Sequence, residues 1–212
     1  LGGAMPFAWR NPPQRFVLAA KCLVFVLALL PLGKLVAGVV LFPEWLGANP
    51  AEFITRALGD WALRMLLLTL AVTPLRRWLG WGWLLRLRRM LGLFTFFYAL
   101  VHFSSYVAFD QVFNVGDILK DIVKRPFITV GFACLLLMLP LALTSTNAMV
   151  RRLGAKRWQL LHRTVYVIAP LAVLHFWWMV KRDITEPAVY ALILTVLLGV
   201  RLNWRRHQVR AA

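Results

Sequence analysis

Acidic residues are scarce in this chain: eight Asp and Glu stand against 25 Lys and Arg in 212 residues. Cysteine is scarcer still, at two, which excludes a disulfide-stapled secreted framework. No Gly-x-Gly-x-x-Gly occurs, so no dinucleotide-binding domain is expected. There is no Gly/Ser linker, no low-complexity tract and no internal repeat. What is abundant is apolar. Hydrophobic residues make up 61% of the chain, against about 45–50% in an ordinary soluble domain. Disorder is thereby excluded, and a soluble globular enzyme is disfavoured. A formal net charge of +17 on so greasy a chain has two readings. One is a nucleic-acid-binding face; the other is a multi-span membrane protein with basic connections. Where the charges fall decides between them.

A membrane helix needs about 20 mostly apolar residues. Six stretches qualify: 16–42, 57–75, 89–109, 127–146, 158–181 and 187–203. The first contains Pro31, where a kink or tilt is expected, with Lys21 and Lys34 snorkelling. The second reads as short and holds Arg64. No connection is long enough for a soluble domain. The expected fold is an all-α integral membrane protein, a six-helix transmembrane bundle over 16–203. A cytoplasmic arm (1–15) precedes it and a basic cytoplasmic tail (204–212) follows. Residues 1–4 are expected to be a cloning remnant before Met5, and the first span lacks the cleavage site of a removable signal peptide.

The charges sort by side. The arm, the second and fourth connections and the tail hold 15 cations and no acid, among them Arg86, Arg88, Arg89, Arg151, Arg152 and Arg201. The odd connections hold six cations and all eight acids, including Asp60, Asp110, Asp117 and Asp121. Lys21, Lys34, Arg64 and Arg163 remain inside spans. The excess of Lys and Arg on one side predicts that both termini are cytoplasmic. Tryptophans such as Trp45, Trp61, Trp78, Trp158 and Trp177 fall at expected span ends, as an interfacial belt requires.

Three of the four histidines lie inside spans, where an ionisable group is a functional candidate. His102 and His175 sit at similar depth, in the outer halves of the third and fifth spans; His162 is near the cytoplasmic end of the fifth. Each is alternatively a hydrogen-bond partner between helices. The spans offer almost no carboxylate or thiolate to complete a bare-metal site. Two imidazoles in apolar surroundings suit instead a haem, whose porphyrin supplies the other four ligands. No Cys-x-x-Cys-His is present, so the haem is expected to be non-covalent. Thirteen residues separate His162 from His175. On an ideal helix that is about 20 Å of rise and about 140° of rotation. They share a face only if Pro170 shifts the phase.

Several stretches carry a resemblance. They are WALRMLLLTLAVTPLRR at 61–77, the series Arg89, Gly92, Tyr98, His102 and Tyr106, DILKDIVKRPFITVG at 117–131, and TSTNAMVRRLGAKRWQLLHRTVY at 144–166, followed by His175. Together they resemble the ferric-reductase-like transmembrane family, which includes the membrane cores of NADPH oxidases and ferric reductases. Within it, the resemblance is closest to haem-binding subunits of bacterial systems that repair oxidised methionine in periplasmic proteins.

The resemblance implies that His102 and His175 are the axial ligands of a b-type haem. NADPH oxidases carry two His on each of two helices, but here Arg88 stands fourteen residues before His102. The inner site therefore keeps His162 without a partner. It is open to a second haem with another ligand, to FMN, which has been associated with the family, or to a quinone. Arg64 is expected to snorkel or to meet a haem propionate; Arg163 is expected to snorkel or to meet a propionate or phosphate of an inner cofactor. Tyr98, Tyr106 and Tyr166, one turn from the histidines, are expected mainly to pack.

The implied role is an electron-transfer subunit of the bacterial inner membrane rather than the catalytic subunit of its system. A flavin reductase or quinol donates electrons, and a periplasmic molybdopterin reductase receives them. The alternatives are a quinol-oxidising cytochrome b anchor, a ferric reductase core, and a His-dependent metal or proton transporter; the last is disfavoured by the lack of an inverted repeat. The connection at 110–126 alternates charged and apolar residues. It is expected to lie on the membrane as a solvated link, or as a short interfacial helix that docks the periplasmic partner.

Overall fold

The computed structural model of the chain describes residues 12–180 and 183–210, with side chains described as far as Trp204. Met5, Trp9, Arg10, Lys181, Arg182 and the side chains of Arg205, Arg206, His207 and Arg210 lie outside the described residues. The described residues form helices and no strand. Six helical segments are long and apolar enough to cross a membrane: Gln14–Val40, Pro50–Leu79, Gly82–Asp110, Pro126–Leu143, Ala155–Met179 and Thr185–Trp204. All six coincide with the expected spans to within about four residues, except that the second and third begin seven residues earlier. The helices are α1 (Gln14–Val40), α2 (Pro50–Leu79), α3 (Leu85–Ser105), α4 (Val115–Lys124), α5 (Pro126–Leu143), α6 (Asn147–Leu153), α7 (Ala155–His162), α8 (Val165–Met179) and α9 (Thr185–Arg210).

Two differences from the expected helices have local causes. The second span, expected to be short, is a helix of 30 residues. Asn49 caps it by accepting the Glu52 N–H at 3.3 Å, Pro50 stands at the first helical position, and the Asn49 amide reaches the Glu52 carboxylate at 3.0 Å. That reciprocal cap starts the helix about two turns before the expected span and draws Arg56 into it. The fifth span is not one helix. It turns at Arg163 and Thr164, where N–H groups bond carbonyls three residues back, and so parts α7 from α8. The break lies directly after His162 rather than at Pro170, so the ideal-helix angle between His162 and His175 does not apply. At the start of α9, Asp183 accepts the Thr185 N–H at 2.9 Å, and its bonds with Thr185 hold the Asp183 carboxyl below the usual range.

α2 is the most buried span and the centre of the bundle. One side of it (Leu63, Leu66, Leu67, Leu70) joins Cys134, Ile168, Ala169, Val173 and Leu194 of α5, α8 and α9. The other (Leu58, Met65, Val72) joins Ala28, Leu35, Leu91, Phe94 and Tyr98 of α1 and α3. The fully buried Tyr98 donates its hydroxyl to the Ala28 carbonyl of α1 at 2.6 Å. α2 with α3, and α5 with α8, are the most extensively packed pairs. The outer faces stay apolar and exposed, for example Leu18, Leu30, Leu136, Val167 and Leu192, as lipid contact requires.

Pro74 lies inside α2 and has no N–H, so the Leu70 carbonyl four residues back loses its helical donor. Arg201, expected in a solvated tail, turns inward from α9 and donates to that carbonyl through Nη2. Its Nη1 donates to the Tyr166 hydroxyl at 2.7 Å. In a medium without water an orphaned carbonyl needs such a donor. Arg201→Met is therefore expected to destabilise the protein by about 1–3 kcal/mol, the cost of a buried acceptor left unpaired. In a Pro74→Ala background, where the substituted alanine supplies the missing N–H, the loss is expected to shrink. Thermal unfolding in detergent measures both; equal losses in the two backgrounds exclude the Leu70 bond as the reason.

Candidate bis-histidine site

His102 projects from the last turn of α3 and His175 from the last turn and a half of α8. Their ring centroids are 6.2 Å apart, with the planes at 74°. Each ring is fixed by the neighbouring helix. His102 Nδ1 lies 2.8 Å from the Thr55 carbonyl of α2, and His175 Nδ1 lies 2.6 Å from the Phe127 carbonyl of α5. A carbonyl can only accept, so each Nδ1 carries the proton and each Nε2 keeps its lone pair. That is the tautomer a metal-binding imidazole needs, with the second nitrogen oriented by a backbone acceptor.

Glycines make room for both rings. A Cβ on Gly59 of α2 would lie 3.0 Å from His102 Cε1, and one on Gly131 of α5 would lie 2.7 Å from His175 Cε1. Each glycine stands four residues, or one turn, after the carbonyl that its histidine bonds. The two half-sites are built alike.

The spacing tests the pair against its expected occupant. A metal–imidazole bond is about 2 Å, and about 1 Å separates the nitrogen from the ring centre. Two axial imidazoles on one iron therefore have centroids about 6 Å apart, as His102 and His175 do. No group of three His, Cys, Asp or Glu able to hold a bare ion occurs among the described residues. The donor set fits a haem, which brings its own four nitrogens.

His162 is elsewhere, at the end of α7. It stacks on Trp158, with centroids 3.9 Å apart, and its Nε2 lies 3.1 Å from the Thr144 hydroxyl. That hydroxyl already donates to the Pro140 carbonyl at 2.6 Å, so His162 Nε2–H is the donor to Thr144. A cavity of about 460 Å³ opens beside it, lined by Arg88, Arg89, Arg163, Trp158, Gln159 and Tyr166 over an apolar floor of Leu66, Met138 and Ile168. Arg163 is exposed at its rim. Trp158, expected at an interface, points inward and donates to the Thr144 carbonyl at 2.9 Å.

Arg64 donates through Nε to the Tyr190 hydroxyl of α9 at 2.9 Å and lies 5.0 Å over the Trp61 ring. Its Nε–H is thus committed to a side chain of another helix. Tyr98, Tyr106 and Tyr166 bond Ala28, Asp121 and Arg201 in turn, so they tie helices together, as expected of packing residues. The sequence reading missed Thr55, Gly59, Phe127, Gly131, Thr144 and Tyr190. Two of these act through backbone carbonyls and two through an absent side chain, which residue identity does not announce.

A family profile described as the ferric reductase like transmembrane component matches residues 58–173, which include His102 and His162. The chain therefore belongs to the ferric-reductase-like transmembrane family, and within it to the MsrQ proteins. It is 56% identical over 196 residues to the protein-methionine-sulfoxide reductase heme-binding subunit MsrQ of Herminiimonas arsenicoxydans, covering 92% of this chain and 88% of the relative. It is 53% identical to the MsrQ of Ralstonia nicotianae, with 91% and 88% covered. The MsrQ of Azospira oryzae is also 53% identical, with 91% and 82% covered.

Gly131→Ala forces the His175 ring away from α5 and strains its bond to Phe127. It is expected to lower the melting temperature. Gly199→Ala, which meets nothing within 4 Å, is expected to raise stability by about 0.5–1 kcal/mol through helix propensity. Differential scanning fluorimetry compares them; stabilisation by both substitutions contradicts the cradle.

Proposed function

We propose that this chain is the haem-binding, membrane-embedded electron-transfer subunit of a protein-methionine-sulfoxide reductase system. In this reading it carries electrons from a cytoplasmic-side flavin or quinol donor to a periplasmic molybdopterin reductase, MsrP, and does no sulfoxide chemistry itself. The carrying observation is the pair of imidazoles at 6.2 Å with both Nδ1 atoms bonded to carbonyls. The names of the relatives support it, since they are heme-binding subunits of such systems. The distribution of Lys and Arg supports a multi-pass protein of the inner membrane with both termini cytoplasmic, the transmembrane domain over 16–203 and the His102–His175 pair toward the periplasm.

His102 and His175 would hold the haem iron in this proposal, each having Nε2 left unprotonated by its Nδ1 bond. A bound b-type haem supplies a one-electron carrier. The Thr55 and Phe127 carbonyls keep the ligand nitrogens unprotonated and raise their basicity. Gly59 and Gly131 let the rings lie against the helices. Tyr190 holds Nε of Arg64, whose guanidinium would offer its charge to a propionate.

The inner cavity takes the second cofactor. Among the described residues no imidazole opposes His162 there, and its Nε2–H is committed to Thr144. Arg88, Arg89 and Arg163 present three cations beside the Trp158–His162 stack, and among the described residues no acid lines the cavity. That chemistry favours a planar ring bearing a phosphate, as in FMN, over a second haem. A quinone remains the neutral alternative, fed from the bilayer.

His102→Ala and His175→Ala are each expected to abolish the same b-type band in a reduced-minus-oxidised spectrum of the purified protein, while His162→Ala keeps it and slows its reduction by the donor. Full haem content in either of the first two variants breaks the pairing. In a second measurement, Arg88→Ala with Arg163→Ala is expected to strip flavin released on denaturation and leave the haem band unchanged. Retained FMN assigns it to another place.

A further inference from the structure

The segment between α3 and α5 takes no part in either site. After Ser105 the chain winds into a single wide turn, Tyr106–Asp110, then reverses through Val112 and Phe113. Both have left-handed backbones, with φ of 46° and 60°. For a β-branched or bulky residue that conformation is costly and needs support from its surroundings. The reversal is closed by a bond from the Phe113 N–H to the Val107 carbonyl at 3.0 Å. Asn114 then caps α4 by accepting the N–H groups of Gly116 and Asp117.

α4 is sharply two-sided. At about 100° per residue, Val115, Ile118, Leu119, Ile122 and Val123 share an arc of about 140°. Gly116, Asp117, Lys120, Asp121 and Lys124 take the rest. The flank holding Asp121 faces the bundle. Asp121 is 16% exposed and accepts from the Tyr106 hydroxyl at 3.1 Å and the Gln111 amide at 2.8 Å, with Arg125 at 3.3 Å. On the α5 side the Thr129 hydroxyl donates to the Ile122 carbonyl. These tethers fix the helix's rotation. Ile118 and Ile122 are half-buried at the flank, whereas Val115, Leu119 and Val123 are 66%, 60% and 83% exposed. Val112 and Phe113, just before the helix in sequence, are also exposed, at 76% and 70%.

We propose that α4 lies in the membrane plane, its apolar arc seated at the headgroup–acyl boundary of the leaflet nearest the His102–His175 pair. Two observations commit it to lipid. First, both ends of α4 run into membrane spans: Asp110 ends one, and Pro126 begins the next after the single residue Arg125. The helix is thereby held at the level where α3 and α5 leave the bilayer. Second, the chain running from the end of that span into α4 exposes Phe109, Val112 and Phe113 as well as the apolar arc, while Lys120 and Lys124 lie on the opposite side of the helix, toward water and headgroups. The strained reversal is the joint that lays the helix flat, and seating Val112 and Phe113 in lipid offsets its cost.

The test uses the full chain in lipid nanodiscs, with the exposed Cys22 replaced by Ser. The environment-sensitive fluorophore NBD is attached at Leu119→Cys or at Lys124→Cys. The probe at 119 is expected to emit at shorter wavelength and to be quenched several-fold by a lipid nitroxide placed high on the acyl chain. The probe at 124 is expected to stay water-like and unquenched. A water-like, unquenched probe at 119, or equal quenching at both positions, overturns the proposal. So does a blue shift at 119 that arises only when the periplasmic reductase is added, which identifies a protein partner as the occupant.

Discussion

Each imidazole of the central pair rests on a glycine of the neighbouring helix and bonds the carbonyl one turn before it, and the bundle is organised around these two contacts. Thr55 and Gly59 receive His102; Phe127 and Gly131 receive His175. The same helix pairs, α2 with α3 and α5 with α8, are the most extensively packed in the protein. A glycine brings each pair close, the carbonyl fixes the ring, and the ring's remaining nitrogen is left basic. Packing and ligand chemistry are thus one arrangement. A side chain at either glycine moves the ring, and a moved ring loses the bond that sets its tautomer.

The solvent of the bundle explains its remaining polar contacts. A bilayer offers no water to an unpaired carbonyl or guanidinium. Where Pro74 removes a donor from α2, Arg201 of α9 replaces it. Arg64 inside the bundle is met by Tyr190 and the face of Trp61. Tyr98 spends its hydroxyl on α1. The bonds of Arg201 to Leu70, Arg64 to Tyr190 and Tyr98 to Ala28 each join two helices that are distant in sequence. A few polar pairs therefore specify which apolar helices are neighbours, which apolar packing in lipid does weakly.

The two ends of the bundle differ in kind. The His102–His175 end is closed around paired neutral imidazoles, a setting for a ligand held by coordination. The His162 end is an open cavity ringed by Arg88, Arg89 and Arg163, a setting for an anion held by charge. His162 is tied to Thr144 there and stacked on Trp158, so it works as a wall and a hydrogen-bond donor.

The six spans and the depth-matched histidines were legible in the sequence, because hydropathy and helical rise act along the chain and need no knowledge of neighbours. The length of α2 was within reach through its Asn49–Pro50–Glu52 start, but the apolar run overshadowed the cap. The break after His162 was not foreseen: a phase shift at Pro170 was the one considered, since proline is the visible disruptor and a hydrogen-bonded turn at Arg163–Thr164 is not. Arg201 read as one more cytoplasmic cation because its role depends on a carbonyl 131 residues away in sequence. By itself, then, the sequence determined an all-helical membrane bundle and which histidines can meet. Tertiary structure alone decided what each meets. Carbonyls and glycines have no side-chain signature, and their service to His102 and His175 exists only where two helices come into contact.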